Sequence, residues 1–526
     1  MKLAFIRPPQ QSNYNDLDLR EDNLISYFLG FCEAAGVKVN FNIYDFVLDK
    51  TNSLEKVLNE HNELYVLFVR ETGSCPHYAV RIAQHLIEHG KNVIIYGQVA
   101  RFTKLKVANL QNITLIEHDE KKLFARLYPE KFLDNSIDFK KGFTVKPYFH
   151  LCNISEKRLP LFKASLESTR GCEFKCKFCY INHGDNHAER WVTRDIDYIL
   201  SDISAYYNTG IRHFVFMDSE FIGKSKERHV ELEVLSDKIS QEFPDINFMI
   251  YARADTLSKF DALQKLKKSG LVNVFIGVES FYEHDLIAMN KGVRSKRLIE
   301  SINTLIDMKV FMTLSFITFN RKTTIKGLRE NLKVLKELYS LPESKYLGMP
   351  NFIFNFESSW DGNGDNKLSN KTYIKWLLYF KEQPGYSNAV FDTKLEPFME
   401  ICRILHYEIT KKTSELNYLI ESNNEVLPWF NSIGLFAIGV MEHFLDRFES
   451  GYLTLDNILD NVKELYSLVE FYNTQTLPGK FSTLRTQEET LDSLSKVPVR
   501  YLDHGWDSAI PTTKDSLSLF TEEGCA

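Results

Sequence analysis

The strongest constraint on the fold of this chain is an alternation of strand and helix patterns through its first 128 residues. Amphipathic helix patterns separate short apolar strand patterns, which lie at 2–6, 37–44, 64–69, 92–96 and 113–116. Strands that alternate with helices of about ten residues are typical of a parallel, doubly wound sheet. We therefore predict a Rossmann-like domain over residues 1–128, with ligands bound beyond the carboxyl ends of its strands.

The alternation resumes at residue 164 and continues to about 360. Its strand patterns lie at 164–168, 213–217, 247–252, 272–278, 311–318 and 351–356. Six such units with right-handed crossovers predict a partial (β/α)6 barrel over residues 164–360. The intervening residues 129–163 contain three prolines and little periodicity, which is typical of a linker. Residues 361–526 are mainly helical in pattern, and we predict that they form a C-terminal domain that caps the barrel and holds substrate.

Composition narrows the class of protein. The 526 residues are 44% hydrophobic and 25% charged, as in ordinary globular proteins, and the net charge of −6 argues against a nucleic-acid partner. No apolar run reaches the roughly 20 residues that span a bilayer, and residues 1–9 resemble a first strand more than a signal peptide. Five of the eight cysteines are scattered without disulfide spacing, so we expect a reducing, cytoplasmic location.

The other three cysteines form a Cys-x3-Cys-x2-Cys run directly after the first strand of the predicted barrel. They are Cys172, Cys176 and Cys179. Three thiolates on one short loop can hold three irons of a [4Fe–4S] cluster and leave the fourth iron open to another ligand. The alternatives are a zinc site and three unrelated cysteines. A structural zinc site needs four ligands, usually in two Cys-x2-Cys halves, and the chain has no second half.

This loop, with Phe178 just before the third cysteine, resembles that of the radical S-adenosylmethionine (SAM) superfamily. The resemblance implies that SAM chelates the open iron through its amino and carboxylate groups. It also implies a one-electron reductant such as flavodoxin or ferredoxin. SAM is then cleaved to methionine and a 5′-deoxyadenosyl radical, which removes hydrogen from an unactivated carbon of a small-molecule or peptide substrate.

The same resemblance extends to polar residues after the barrel strands. Asp218, Ser219 and Glu220 nearly match a family motif that contacts the amino group of SAM. Arg253 matches the arginine that pairs with the methionine carboxylate, which suits a planar guanidinium. Glu279 and Ser280 lie in a Gly-x-Glu-Ser motif that follows the SAM ribose. Each residue alone is also compatible with a surface salt bridge at a strand end.

One edge of the predicted pocket departs from the family pattern. Residues 319–323 read Phe-Asn-Arg-Lys-Thr where Gly-x-Pro is common. We expect that this edge is rebuilt around an unusual substrate.

The N-terminal layout resembles the cobalamin-binding domain that precedes many radical SAM barrels. Pro8-Pro9 and Gly73-Ser74 match family features, whereas Gly97-Gln98 and His118-Asp119-Glu120 depart from them. A second glycine in place of Gln98 would allow closer backbone approach to a bulky ligand. No Asp-x-His-x-x-Gly motif occurs, so histidine ligation of cobalt is not expected. The one candidate, His77, is either a cobalt ligand or a polar surface residue. The alternative is a cofactor-free module that shapes the substrate cavity.

The resemblance implies a cobalamin-dependent C-methyltransferase acting on a natural product or peptide. The alternatives are a cobalamin-free peptide epimerase or rearrangement enzyme and, from another class, a non-catalytic Fe–S or SAM-binding regulatory protein. A methylthiotransferase is disfavoured because a second three-cysteine group is missing. Cys402 and Cys525 are either hydrogen donors to a product radical or inert cysteines.

Overall fold

The computed structural model describes a chain with an N-terminal α/β module, a central α/β core and a helical C-terminal region. The described residues are 1–9, 19–49, 51–69, 76–97, 112–131, 136–154, 159, 162–179, 191–319, 323–341, 343–348, 350–353, 395–416 and 427–476.

The N-terminal module is a five-stranded parallel sheet with helices on its two faces. Its strands are β1 (Leu3–Arg7), β2 (Phe41–Asp45), β3 (Leu64–Phe68), β4 (Val93–Tyr96) and β5 (Ile113–Ile116). Its helices are α1 (Asn23–Ala34), α2 (Leu54–Asn59), α3 (Pro76–Glu88) and α4 (Glu120–Leu127). The strand order β2-β1-β3-β4-β5 confirms the doubly wound fold and places the switch point between β1 and β3.

The core sheet has six parallel strands whose spatial order follows the sequence. They are β6 (Lys163–Leu166), β9 (His213–Phe216), β10 (Asn247–Arg253), β11 (Leu271–Glu279), β12 (Phe311–Ile317) and β13 (Asn351–Ile353). The helices between them are α5 (Ile196–Tyr207), α6 (Lys226–Glu242), α7 (Ala254–Leu257), α8 (Leu263–Lys268), α9 (Glu283–Ala288), α10 (Ser295–Asp307) and α11 (Ile325–Tyr339). Among the described residues the outer strands β6 and β13 do not pair with each other, in agreement with a partial barrel.

A small hairpin at the mouth of the core was not expected from the sequence. Strands β7 (Thr169–Gly171) and β8 (Trp191–Thr193) pair antiparallel on either side of the cysteine loop. The hairpin is seated against the core at Gly223, where a Cβ atom would come within 2.2 Å of the Trp191 ring. Periodicity does not reveal strands of three residues, because they are too short to show alternation.

The C-terminal region contains α12 (Glu396–Leu416), α13 (Leu427–Glu449) and α14 (Ile458–Thr476). It packs directly on the core: a Cβ atom at Gly434 would lie 2.4 Å from the Tyr339 ring of α11. Short 3-10 helices occur at Phe149–Leu151 and Ser344–Tyr346. One apolar cluster runs from the module through the core into these helices, and a second fills the other face of the module sheet. Among the described helices, none is both long enough and apolar enough to cross a membrane.

Candidate active site

The cysteine loop leaves β7 at the carboxyl-end edge of the core sheet. Cys172 and Cys176 are buried and Cys179 is partly buried, and all three pack in one small cluster with Phe174 and Phe178. Neighbouring residues hold the loop, since Lys177 donates its backbone N–H to Met289 (2.9 Å) and Asn290 Nδ2 donates to the Lys175 carbonyl (2.7 Å). The structure therefore brings the three cysteines and the predicted aromatic residue together.

The donor set of this loop fits an iron–sulfur cubane. Among the described residues, no three His, Cys, Asp or Glu side chains are arranged around a single metal ion. A cubane instead takes one thiolate at each of three separate irons, so its ligands need not converge on one point. Burial raises the pKa of the Cys172 thiol to about 12. Metal binding would therefore displace a proton from this thiol.

Arg253 ends β10 beside the cysteine loop. Its Nη1 donates to Cys176 Sγ at 3.1 Å, its Nε donates to Asp255 Oδ1 at 2.8 Å, and its guanidinium lies 3.7 Å from the Phe174 ring centre. Burial opposes the charge, but Asp255 and the sulfur of Cys176 outweigh it and raise the pKa of Arg253. A permanent positive charge thus contacts one of the proposed metal ligands.

A buried ion pair lies at the end of β11. Lys291 Nζ and Glu279 Oε1 are 2.9 Å apart, and the side chains are only 3% and 8% exposed. Glu279 has φ of 67°, and the β11–β12 register shifts between Gly277 and Glu279. Such a bulge redirects a side chain, and positive φ in a non-glycine residue is strained. Gly277 leaves room for the pair, because a Cβ there would lie 2.8 Å from Glu279 Oε1 and 3.0 Å from Lys291 Nζ.

Glu220 is fully buried and acts as an organising carboxylate beneath the site. Its Oε2 accepts from the Arg253 backbone N–H at 2.8 Å, and its Oε1 accepts from Thr256 Oγ1 at 2.8 Å and from the backbone N–H of Gly223 at 3.1 Å. Burial raises the pKa of Glu220, although these hydrogen bonds and Arg253 oppose the shift. Its described contacts therefore tie the end of β10 to the turn after β9.

Asp218 and Ser219, the other residues predicted after β9, have different environments. Asp218 is buried, and its Oδ1 accepts from Ser168 Oγ at 3.2 Å and from the Thr169 backbone N–H. Its Oδ2 has no partner among the described residues, and burial raises its pKa to about 7. Ser219 is exposed.

Ser280 also lies inside the core rather than on its surface. Its hydroxyl oxygen lies 3.1 Å from both Asp285 Oδ2 and Asn331 Oδ1, so its single proton is donated to one of them, and it accepts from the Tyr282 backbone N–H. The side chain therefore fixes the turn after β11, next to the buried pair described above.

The N-terminal module meets the base of the cysteine loop through residues that sequence reasoning did not single out together. Arg170, two positions before Cys172, forms two hydrogen bonds with Glu120 of 2.7 and 2.8 Å. Asn23 Nδ2 donates to Glu167 Oε1 at 2.8 Å, and Tyr27 Oη contacts the backbone of the same residue. No pattern along the chain signals such pairs, because their members lie far apart in sequence.

Several predicted positions lie outside the described residues. These are Gly73, Ser74, Gln98, residues 320–322, Cys525 and the side chain of His77. Pro8 and Pro9 follow β1 as expected. Cys402 is buried in α12, where burial raises the pKa of its thiol.

Most of the core matches a known protein family. Residues 166–335 match the family model described as the radical SAM superfamily. An uncharacterised methyltransferase of Pyrococcus horikoshii is 26% identical over 172 residues, which are 32% of this chain and 36% of that protein. The 4′-phospho-dehydrooxetanocin synthase of Priestia megaterium is 23% identical over 402 residues, which are 71% of this chain and 51% of that protein. The chain thus spans about half or less of these curated relatives.

A solved structure shares the overall fold. It is the cobalamin-dependent SAM radical enzyme OxsB with aqua-cobalamin and SAM bound, and it matches with a TM-score of 0.62 and 14% identity. The match covers 96% of this chain and 83% of that one. The likeness therefore extends through the N-terminal module and the helical C-terminal region as well as the core.

Proposed function

The chain belongs over residues 166–335 to the radical SAM superfamily, and on that premise we propose that it is an enzyme that removes hydrogen from an unactivated carbon. The observation that carries the proposal is the packed loop of Cys172, Cys176 and Cys179, with Arg253 hydrogen-bonded to Cys176 Sγ. Three thiolates would hold a [4Fe–4S] cluster whose fourth iron is open to SAM. When bound, the cluster and SAM supply the radical that removes the hydrogen.

The residues around the loop have supporting roles in this proposal. Arg253 balances thiolate charge, and Phe174 and Phe178 exclude water from the sulfurs. We assign SAM binding to the surface formed by this loop and by the ends of β9, β10 and β11. The residues assigned to it are Phe178, Asp218, Ser219, Glu220, Arg253, Glu279 and Ser280. Glu220 and Ser280 act mainly by fixing the backbone there, since their carboxylate and hydroxyl groups bond to neighbouring protein groups.

We further propose that the N-terminal module binds cobalamin and that the reaction is C-methylation of a natural product or peptide. Two observations support this: the fold shared with an enzyme whose solved structure contains aqua-cobalamin and SAM, and a relative named as a methyltransferase. The relative from Priestia megaterium is named a synthase and not a methyltransferase, so a reaction other than methylation, such as epimerisation or rearrangement, is the second candidate. A flavodoxin or ferredoxin type of reductant and a reducing, cytoplasmic location complete the proposal.

Anaerobic reconstitution with iron and sulfide tests the cluster. We expect the wild type to bind about four irons per chain and to form 5′-deoxyadenosine from SAM with dithionite, whereas Cys176→Ala does neither. Cys32→Ala, which removes a buried cysteine from α1, is the matched control and should behave as the wild type. Zinc in place of iron, or full turnover by Cys176→Ala, would contradict the ligand assignment. An intact cluster that never cleaves SAM would instead support a regulatory binding protein.

The accessory cofactor needs a separate measurement. Protein purified with excess hydroxocobalamin should keep a cobalamin absorption spectrum after gel filtration. If the spectrum is lost while SAM cleavage persists, the cobalamin-free candidates replace C-methylation.

A further inference from the structure

A buried chain of charges joins the N-terminal module to the base of the cysteine loop. Arg170 Nη1 and Nη2 donate to the two oxygens of Glu120 at 2.8 and 2.7 Å, and Arg170 Nε donates to Glu167 Oε2 at 2.6 Å. Glu120 begins α4 of the module, whereas Arg170 belongs to β7 of the core. The guanidinium also lies 4.0 Å from the Phe139 ring centre. Nε, Nη1 and Nη2 of Arg170 thus all donate hydrogen bonds, which fixes the orientation of the guanidinium.

The electrostatics of this contact favour a fixed arrangement. The side chains of Arg170 and Glu120 are 18% and 5% exposed. Burial alone would raise the pKa of Glu120, but the charge and hydrogen bonds of Arg170, together with His118, hold that pKa well below its usual range. A two-pronged guanidinium–carboxylate pair specifies direction as well as distance, which lysine cannot reproduce.

The module side of the contact carries polar atoms without partners. Tyr96 Oη and Asn23 Oδ1 are buried and have no hydrogen-bond partner among the described residues. His118 Nε2 lies 3.5 Å from Glu120 Oε1, and its ring is 5.9 Å from that of Tyr96. Tyr96 ends β4, His118 follows β5 and Asn23 begins α1, all at the carboxyl-end edge where doubly wound sheets bind ligands. Since buried polar groups are nearly always satisfied, Tyr96 Oη and Asn23 Oδ1 are candidates to bond a polar ligand or water, as judged from the part of the chain that the structure describes.

On the core side, the contact lies directly before the cysteine loop. Arg170 pairs with Val192 in the hairpin, and Gly171 follows with φ of 79° before Cys172. This positive φ turns the chain sharply, so the direction in which the loop departs depends on where Arg170 is held.

We propose that Arg170 is a positioning residue that couples ligand occupancy at the edge of the N-terminal module to the cysteine loop through Glu120. The inference rests on the proposed function, because it takes cobalamin as the module's ligand and SAM as the loop's. Coupling between two binding sites is reciprocal: each ligand changes the affinity of the other by the same factor.

The first test uses the protein without cofactors. Arg170→Lys keeps the charge but loses the two-pronged contact, and Glu120→Gln keeps the shape but loses the charge. We expect both variants to lose hydrogen-exchange protection in peptides covering 113–124 and 166–179. Arg212→Lys is the control, because Arg212 also pairs with a carboxylate, that of Asp245 at 2.6 Å, but precedes β9 at the opposite edge of the core sheet from the loop. It should alter exchange around 207–213 and 243–247 only.

The second test measures coupling in the anaerobically reconstituted protein. Hydroxocobalamin is titrated by absorption with and without SAM. In the wild type and in Arg212→Lys, SAM should change the hydroxocobalamin affinity about fivefold or more. In Arg170→Lys and Glu120→Gln, the ratio of the hydroxocobalamin affinities with and without SAM should fall to near one. The affinity for each ligand alone should stay within about threefold of that of the wild type.

The outcomes separate this inference from the proposed function. A wild-type ratio near one, or a full ratio in both Arg170→Lys and Glu120→Gln, overturns the positioning role while cobalamin and SAM binding stand. Unchanged exchange in both variants overturns it as well. A wild type that binds no hydroxocobalamin overturns the cobalamin assignment itself, and with it this coupling.

Discussion

At the scale of single residues, the candidate site is characterised by charged side chains that are buried next to one another. Lys291 and Glu279 are the clearest case, with their charged atoms 2.9 Å apart and little exposed surface on either side chain. Lys291 Nζ also lies 5.7 Å from the centre of the Phe178 ring, so the pair is adjacent to the cysteine loop. Two buried opposite charges neutralise each other, but either one alone is costly.

Removal of one member of this pair is therefore expected to destabilise the protein more than removal of both. Lys291→Met leaves Glu279 buried without its cation, at a cost of about 3–5 kcal/mol in the free energy of unfolding. The double variant Lys291→Met with Glu279→Gln should lose less. The urea midpoint, followed by intrinsic fluorescence on anaerobic protein, measures both. A double variant that is less stable than Lys291→Met would show that the pair is not mutually compensating.

At the scale of elements, the bulge in β11 sets the direction of that carboxylate. The register shift after Gly277 and the positive φ of Glu279 place two backbone irregularities within three residues. A regular strand would alternate side chains between its two faces, whereas a bulge re-aims one of them. The glycine is needed because the ion pair occupies the space where a side chain would begin.

Gly277→Ala tests this geometry. The added methyl group would meet Glu279 Oε1 at 2.8 Å and Lys291 Nζ at 3.0 Å, so the pair must move. We expect a lower thermal midpoint, because the free energy of unfolding falls by about 1–3 kcal/mol. The reconstituted protein should also bind SAM more weakly. Gly439→Ala is the control, since nothing lies within 4 Å of its Cβ position in α13. It should be neutral or slightly stabilising. Equal effects from both substitutions would contradict the steric account.

At the scale of the whole molecule, buried polar groups connect the module, the segment after it and the core. Glu21 accepts hydrogen bonds from the backbone N–H groups of Tyr148 and Phe149, at 2.9 and 2.7 Å, and from the Tyr206 hydroxyl of α5. Burial raises the pKa of Glu21 from 4.5 to about 8, although these hydrogen bonds oppose the shift. One carboxyl group thus contributes to the docking of three parts of the chain.

This group predicts a pH dependence of stability. Between about pH 4.5 and 8 the folded protein keeps the Glu21 proton and the unfolded chain does not. The folded state then binds more protons, so its stability should fall as pH rises through that window and level off above it. Glu21→Gln removes the contribution, which is on the order of 1 kcal/mol per pH unit. The guanidinium midpoint of wild type and variant from pH 5 to 8.5 measures it. Parallel curves would show that the carboxyl group is not protonated in the fold.

Much of the architecture could be predicted because its determinants are local. Each strand of the module, such as Leu64–Phe68, is a short apolar run followed by an amphipathic helix pattern, and this order leads to parallel pairing. The cysteine loop was predicted for the same reason, since its three cysteines lie within eight residues. The structure confirms the fold class. The individual SAM contacts and the domain boundaries stay predictions.

The remaining features could not be predicted, because they depend on groups that are distant in sequence. Arg170 and Glu120 are 50 positions apart, and Glu21 and Tyr206 are 185 apart. Glu220 was expected at the cofactor, whereas its carboxylate oxygens accept hydrogen bonds from Gly223, Arg253 and Thr256. Pattern reasoning places a residue at the end of a strand but does not say which neighbouring group it bonds.

The amino-acid sequence by itself determined an N-terminal α/β module, an α/β core, a helical region after them and a loop of three cysteines after the first core strand. It could do so because periodicity and spacing are properties of neighbouring residues. Only the tertiary structure decided which buried charges meet, that Glu279 turns towards Lys291, and that the module contacts the loop through Arg170 and Glu120. The physical reason is that the two charged groups of a buried ion pair must approach within about 3–4 Å. For groups on separate elements, that distance is set by how the elements pack and not by their order along the chain.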